Sequence, residues 1–92
     1  MKINIRAAKT SLTPAIQESV ESKFSSLEEF IKPEDTVFVD IEAKASHNNE
    51  QQYKVEVSIK PAGHYADSTG SDMYEALDLL IPKIREIGRA HV

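Results

Sequence analysis

The sequence DMYEALDLLIPKIREI, at residues 72–87, predicts an amphipathic helix. Its apolar side chains recur at intervals of three and four residues, which is the spacing of one helical face. They are Met73, Leu77, Leu80 with Ile81, Ile84 and Ile87. Asp72 followed by Glu75 resembles a capping box, with aspartate in place of serine or threonine. A stripe of this length must be buried against another apolar surface, so the rest of the chain is expected to supply a sheet.

Pro82 interrupts this predicted helix. Proline has no N–H for the carbonyl of Asp78 and its ring crowds that carbonyl, at a cost of about 3 kcal/mol. Burial of the apolar side chains on both sides of it contributes about 1.5–3 kcal/mol each, which outweighs the cost. We therefore expect the helix to continue past Pro82 with a bend near residues 78–82, and Gly88 predicts its end.

Alternating apolar and polar residues predict the strands of the sheet. The predicted strands are centred on residues 3–7, 37–43, 53–59 and 64–69. Residues 46–51 indicate a polar hairpin loop between the second and third strands. Lys60-Pro61-Ala62-Gly63 is typical of a type I turn before the short fourth strand.

A second amphipathic helix is predicted between the first two strands. Thr13 supplies a capping hydroxyl and Pro14 suits the first helical position. The apolar stripe then runs through Ile16, Val20, Phe24, Leu27 and Ile31, which predicts about five turns ending before Pro33.

The predicted fold class is α+β, with the element order β-α-β-β-β-α. Two helices are expected on one face of a four-stranded mixed sheet, with the first two strands parallel. We expect one domain over residues 1–92, with 88–92 as a short C-terminal tail. The order α-β-β-β-α after the first strand is also that of the double-stranded RNA-binding domain, which recognises RNA by shape and backbone.

Composition excludes several classes of protein. The 92 residues carry a net charge of −4 and no cysteine, so disulfides and zinc-thiolate sites are impossible. The longest apolar run, residues 79–81, is far shorter than the roughly 20 residues of a membrane span, and the alternating start is unlike a signal peptide. A cytoplasmic location and no membrane partner are expected.

No catalytic constellation is evident. His47, His64 and His91 have no ligand at metal-site spacing, and neither a nucleophile elbow nor a phosphate-binding loop is present. We predict no enzyme activity, no catalytic residue, no metal, no cofactor and no small-molecule substrate.

The two ends of the chain carry a net positive charge, and the middle carries a net negative charge. Lys83, Arg85 and Arg89 fall in the last turns of the predicted second helix. They suit interaction with the negative end of the helix dipole, and they suit phosphate binding equally well. Charge alone leaves these two interpretations open.

A resemblance to a known family favours phosphate binding. The segment Asp72–Asp78 is similar to the Asp-Met-Tyr-x-Ala-Ile-Asp segment of the ribosome hibernation-promoting factor and ribosome-associated inhibitor family, also labelled sigma-factor modulation proteins. The first helix, from Thr13-Pro14-Ala15-Ile16 to Leu27-Glu28, and the strand segment Tyr53–Val57 resemble family segments too. The resemblance covers essentially the whole chain in the same order.

The resemblance implies the fold predicted above and a partner, the rRNA of the small ribosomal subunit. Such proteins bind where mRNA and tRNA anticodons lie and silence translation in stationary phase or stress. Lys23 and Lys83 match family basic positions, and with Arg85 and Arg89 they form the predicted nucleic-acid-binding set. The protein is expected to be monomeric away from the ribosome. Three family basic positions hold other residues here: Gln17, Ser26 and Glu86. Each lost phosphate contact weakens binding.

An alternative of a different class is an acidic protein-interaction module on the same fold, without strong ribosome binding. Its contact surface would be the acidic side of the predicted first helix. The acids concerned are Glu18, Glu21, Glu28 and Glu29.

Overall fold

A computed structural model describes residues 2–45 and 51–90, with the side chains of residues 2–44 and 52–87. Its elements are β1 (Lys2–Ala8), α1 (Pro14–Ser25), a short 3₁₀ helix (Glu28–Phe30), β2 (Thr36–Ala45), β3 (Gln51–Lys60), β4 (His64–Gly70) and α2 (Met73–Ala90). The predicted β-α-β-β-β-α order is confirmed. The hairpin loop predicted at residues 46–51 lies, apart from Gln51, outside the described residues.

The four strands form one mixed sheet in the order β1-β2-β3-β4. β1 is parallel to β2, as predicted, and the other two pairs are antiparallel. Alternate residues of β2 are buried, including Val37, Val39 and Ile41. These side chains join Val20 and Phe24 of α1 in a single core. Both helices therefore pack on one face of the sheet, and the opposite face is left to solvent within the described part of the chain.

The first helix is shorter than predicted. Five continuous turns to Ile31 are wrong, because α1 ends at Ser25 and a separate 3₁₀ turn follows. The hydroxyl of Ser26 donates a hydrogen bond to the carbonyl of Lys23 at 2.6 Å, and this competes with helical bonding there. Leu27 and Ile31 remain buried, so the apolar stripe continues after the helix has ended. The predicted start is confirmed, since the Thr13 hydroxyl accepts from the Ile16 N–H at 3.2 Å.

The second helix begins at the predicted cap. The Asp72 carboxylate accepts from the Glu75 N–H at 2.8 Å, and the Glu75 carboxylate accepts from the Ser71 N–H at 3.2 Å. The glutamate thus reaches one residue further back than in a standard capping box. The helix continues past Pro82, as predicted, but also past Gly88 to Ala90, so the predicted stop at Gly88 is wrong. The bend near residues 78–82 stays a prediction.

Close approach of α2 to β4 requires small residues at the contact. A Cβ on Gly70 would lie 2.7 Å from the Ala76 nitrogen, so only glycine fits there. The buried Ser68 hydroxyl donates to the Ala76 carbonyl. The close approach at Gly70 and the hydrogen bond from Ser68 set the position of α2 against β4.

The turn into β4 differs from the predicted type I turn. The Gly63 N–H donates to the Ile59 carbonyl at 2.8 Å, a bond that spans five residues. The Lys60–Pro61 peptide is cis, and Gly63 has a φ of +80°, which glycine adopts readily. Among the described residues, no helix is long and apolar enough to cross a membrane.

Candidate nucleic-acid interface

Lys23 is held in an ion pair rather than left free. It lies in the last turn of α1, and its ammonium group contacts the Asp78 carboxylate of α2. The Lys23 side chain is 29% exposed and that of Asp78 is 62% exposed. The pair joins the two helices on their outer surface and neutralises the lysine charge, so a phosphate must compete with Asp78 for Lys23.

Lys83 is directed toward the edge of the sheet. Its ammonium group donates to the backbone carbonyl of Asp67 in β4 at 2.6 Å. β4 is an edge strand, and a lysine at such an edge discourages pairing with another strand. The side chain remains exposed, so its other two N–H donors are available to a ligand.

The helical geometry separates Lys83 from Arg85. Each helical residue is rotated by about 100° from the one before, so Arg85 projects within about 20° of Asp78 and Lys83 about 140° away from it. Arg85, which is half-buried, therefore lies on the Lys23 side of α2, whereas Lys83 lies on the β4 side. The Arg89 side chain lies outside the described residues. The predicted cations therefore do not form one patch: Lys23 and Arg85 share a flank that excludes Lys83.

Polar or acidic side chains stand at Gln17, Ser26 and Glu86, where the resemblance implies basic residues. The Gln17 amide donates to the Glu21 carboxylate at 3.5 Å. The Ser26 hydroxyl donates to the Lys23 carbonyl at the end of α1. Glu86 is exposed beside Lys83 along a surface groove. The helix side of the domain is accordingly less basic than the resemblance implies.

The open face of the sheet, opposite the helices, carries cations that the sequence analysis did not assign to a site. Four cross-strand rows of this face are Lys2-Thr36-Lys60, Asn4-Phe38-Ser58-Tyr65, Arg6-Asp40-Glu56-Asp67 and Ala8-Glu42-Lys54-Thr69. The alternation in each strand predicts which residues face outward. It does not predict which of them are neighbours, because that depends on the strand register.

Ion pairs neutralise most carboxylates of this open face. The Arg6 Nε contacts Asp40 at 2.9 Å, Lys54 contacts Glu56 at 2.8 Å, and Lys9 contacts Glu42 at 3.8 Å. The hydrogen bond and the charge of Glu56 raise the pKa of Lys54 above its usual value of 10.5. Lys54 is therefore fully charged at neutral pH.

Tyr65 lies next to this acidic row on the open face. Partial desolvation and the charges of Glu56 and Asp67 raise the pKa of Tyr65 above 10.0. The phenol is therefore neutral at physiological pH, and its hydroxyl donates to the Asp67 carboxylate at 3.3 Å.

Among the described residues, no cluster of three or more histidine, cysteine or acidic side chains is arranged to hold a metal ion. His64 is half-buried at the start of β4. His47 and His91 lie outside the described residues.

The sequence matches a known protein family over nearly all of its length. The model of the family described as sigma 54 modulation protein / S30EA ribosomal protein matches residues 3–87, from β1 to the last turns of α2. The chain belongs to this family. The family predicted from the sequence resemblance is thereby confirmed. This S30EA family match includes three of the four predicted cations, and Arg89 lies beyond it.

Two proteins of similar sequence are ribosome hibernation factors. The chain is 32% identical over 93 residues to the ribosome hibernation promotion factor of Bacillus subtilis, covering 99% of this chain and 48% of that protein. It is 30% identical to the ribosome hibernation promoting factor of Klebsiella oxytoca, covering 91% of this chain and 85% of that protein. The chain thus spans about half the length of the first relative and most of the second.

Two solved structures share the fold described above. The Thermus thermophilus Protein Y N-terminal domain superposes with a TM-score of 0.77 at 17% identity, over the whole of both chains. A ribosomal subunit interface protein from Coxiella burnetii superposes with a TM-score of 0.72 at 20% identity, over 99% of this chain and 97% of that chain. These similarities confirm two helices on one four-stranded mixed sheet.

Proposed function

We propose that this protein is a ribosome hibernation factor that binds the small ribosomal subunit and silences translation without catalysis. The observation that carries the proposal is the similarity to the Klebsiella oxytoca hibernation promoting factor, which covers 85% of that protein. The family match over residues 3–87 supports it. The site of action would be the cytoplasm, where ribosomes translate.

The proposed site on the subunit is the decoding region, where the domain would exclude mRNA and tRNA sterically. Steric exclusion requires only a rigid body of sufficient size and a few contacts to hold it. The domain measures 42 × 25 × 19 Å along its principal axes, which is wide enough to obstruct a channel that admits a single RNA strand. No residue needs to react for this mechanism to work.

The proposed rRNA contacts are Lys23 and Arg85 on one flank of α2, Arg89 further along that helix, and Lys83 on the other flank. Lys23 would exchange Asp78 for a phosphate oxygen. An exposed ion pair contributes only about 0.2–1 kcal/mol, so this exchange is inexpensive. Since the two flanks lie on opposite sides of α2, the helix would have to enter a groove with phosphates on both sides.

A competition experiment tests the proposed location. Small subunits are incubated with labelled protein, and then with increasing amounts of mRNA and initiator tRNA. The proposal predicts that the labelled protein is displaced from the subunits as mRNA and tRNA bind. Simultaneous binding of protein, mRNA and tRNA at full occupancy would place the protein elsewhere.

The second candidate, an acidic protein-interaction module, is favoured by one observation. Glu18, Glu21, Glu28 and Glu29 are all exposed, while the only lysine of α1 is neutralised by Asp78. The double variant Glu18→Lys with Glu21→Lys distinguishes the two candidates. It should tighten binding to ribosomal subunits if the protein is a hibernation factor. If the acidic surface instead binds another protein, neither the parent nor the double variant should bind ribosomal subunits.

A further inference from the structure

Two aromatic side chains lie in one row of the open face. Phe38 of β2 and Tyr65 of β4 both align with Ser58 of β3 between them. Neighbouring strands are about 4.8 Å apart, so the two rings arise about 10 Å from each other across a small side chain. Tyr65 is 53% exposed and Phe38 is half-buried. Phe38 projects from the face that the helices leave uncovered, and Tyr65 lies at the β4 edge of that face, where it also borders a groove lined by Lys83 and Glu86 of α2. Neither ring belongs to the core.

Two lysines border these rings. Lys2 and Lys60 are exposed in the adjacent row, where both align with Thr36. The Lys60 ammonium group lies 5.9 Å from the centroid of the Phe38 ring. Neither lysine forms an ion pair with any residue that the structure describes. These two rows contain no carboxylate, since the acidic residues of the open face begin in the third row.

Ion pairs limit the repulsion that the third row exerts on an anion. Asp40 is paired with Arg6, and Glu56 with Lys54. Asp67 is the remaining carboxylate of that row and accepts a hydrogen bond from the Tyr65 hydroxyl. The charge of the open face is thus divided. One end is cationic and aromatic, whereas the third row keeps a net negative charge, because Arg6 is its one cation and Asp40, Glu56 and Asp67 are its carboxylates.

We propose that the aromatic end of the open face, defined by Lys2, Phe38, Lys60 and Tyr65, binds unpaired nucleotides of single-stranded nucleic acid. Bases stack on the rings of Phe38 and Tyr65, and phosphates contact Lys2 and Lys60. Exposed aromatics on a sheet beside cations are a common platform for single strands, because every base has a stacking face. This inference goes beyond the proposed function, which uses the opposite, helical side of the domain.

The local shape fits a flat ring better than an apolar peptide. A groove of about 550 Å³ runs beside Phe38, lined by Asn4, Ser58 and Lys60 and, at its other end, by the ion pair of Arg6 with Asp40. The polar side chains interrupt the apolar surface that a hydrophobic segment needs, and they offer hydrogen-bond partners to base edges or a sugar hydroxyl. The cation–π contact of Lys60 is weaker than base stacking, so its ammonium group can move to a phosphate.

The aromatic contribution is tested with a labelled ten-nucleotide uridine RNA and the matching thymidine DNA, by fluorescence anisotropy on the intact chain. Phe38→Leu and Tyr65→Ser should each weaken binding about fivefold or more, which is the lower end of the loss of one stacked base. Phe38→Tyr keeps a stacking ring and should bind like the parent. Tyr74→Ser removes an exposed tyrosine from α2 on the other side of the domain and should also bind like the parent.

The lysine contribution is read from the salt dependence. Lys2→Gln with Lys60→Gln should reduce the slope of log affinity against log salt by about 1.4, or about 0.7 for each single-strand phosphate contact. Lys32→Gln removes the charge of an exposed lysine that lies outside the four strands and should leave the slope nearly unchanged. Circular dichroism confirms that each variant is folded.

Two outcomes would overturn the inference. One is an absence of oligonucleotide binding by the folded parent at low salt. The other is binding that the aromatic and lysine variants leave unchanged. Binding of RNA alone, or of RNA and DNA alike, supports the inference. The comparison of the two also shows whether the protein recognises the ribose 2′-hydroxyl. Because these oligonucleotides are free of the ribosome, failure here leaves the proposed ribosome binding to its own test.

Discussion

The Lys23 ammonium group and the Asp78 carboxylate form an ion pair that joins α1 to α2, 55 residues apart in sequence. Lys23 is the predicted nucleic-acid-binding residue of α1. In this protein it is opposed by a carboxylate, which makes Asp78 an internal competitor of RNA phosphate. The net charge of −4 has a similar effect at longer range. The affinity for RNA should therefore increase when Asp78 is neutralised.

Asp78→Asn should tighten binding to small ribosomal subunits by about 1.5- to 5-fold, the equivalent of an exposed ion pair of about 0.2–1 kcal/mol. Glu28→Gln, which neutralises an exposed acid that forms no ion pair among the described residues, is the matched control and should have a smaller effect. Quantitative co-sedimentation measures both. Equal effects of the two variants would mean that Lys23 does not gain a phosphate contact.

Lys83→Glu combined with Arg85→Glu should weaken small-subunit binding without unfolding the domain, because neither side chain is part of the core. Since the two residues lie on opposite flanks of α2, each single variant should weaken binding by itself, and the two losses should be close to additive. The single and double variants are compared by co-sedimentation and circular dichroism. Near-normal binding of the folded double variant at physiological salt would remove these residues from the interface.

The fold was predictable because the local patterns agree with one another. The stripe of α2, the alternation of β2 and β3, and the caps at Thr13 and Asp72 all indicate the structure that is observed. The end of α1 was not predictable from its stripe, since Leu27 and Ile31 stay buried although the helix has given way to a 3₁₀ turn. Gly88 failed as a stop because glycine permits a helix end without requiring one.

The candidate sites were less predictable than the fold. The sequence identifies the cations of α2, but their separation onto two flanks and the pairing of Lys23 with Asp78 depend on how the helices pack. The aromatic end of the open face depends on the register of three strand pairs, which joins residues as distant as Lys2 and Lys60. The alternation of apolar and polar residues predicts which face of the sheet each side chain occupies. It does not predict which residues of the adjacent strands lie beside it.

Gly70→Ala should destabilise the domain by about 1–3 kcal/mol, because the new Cβ would lie 2.7 Å from the Ala76 nitrogen and push α2 away from β4. Thr69→Ala, at an exposed position of the same strand, is the control. Urea denaturation gives both free energies of unfolding. A Gly70→Ala variant as stable as the parent would show that α2 can shift at no cost.

Pro82→Ala should stabilise the domain, by up to about 3 kcal/mol, because alanine restores an N–H donor to the Asp78 carbonyl and removes the ring that crowds it. Pro82 is exposed, so no core contact is lost. The free energy of unfolding measures the gain, and a crystal structure of the parent tests the predicted bend at residues 78–82. An unchanged or lower stability would indicate that α2 requires the proline at this position.

The most direct test of the central proposal is sedimentation of the tagged protein with purified small ribosomal subunits at about 50 mM and about 200 mM salt. With contacts from Lys23, Lys83, Arg85 and Arg89, the slope of log affinity against log salt should be about −3, so binding should weaken roughly 50- to 100-fold between the two conditions. Stoichiometric co-sedimentation is expected at the lower salt, and a large loss of bound protein at the higher. A folded protein that stays in the supernatant at the lower salt would contradict it.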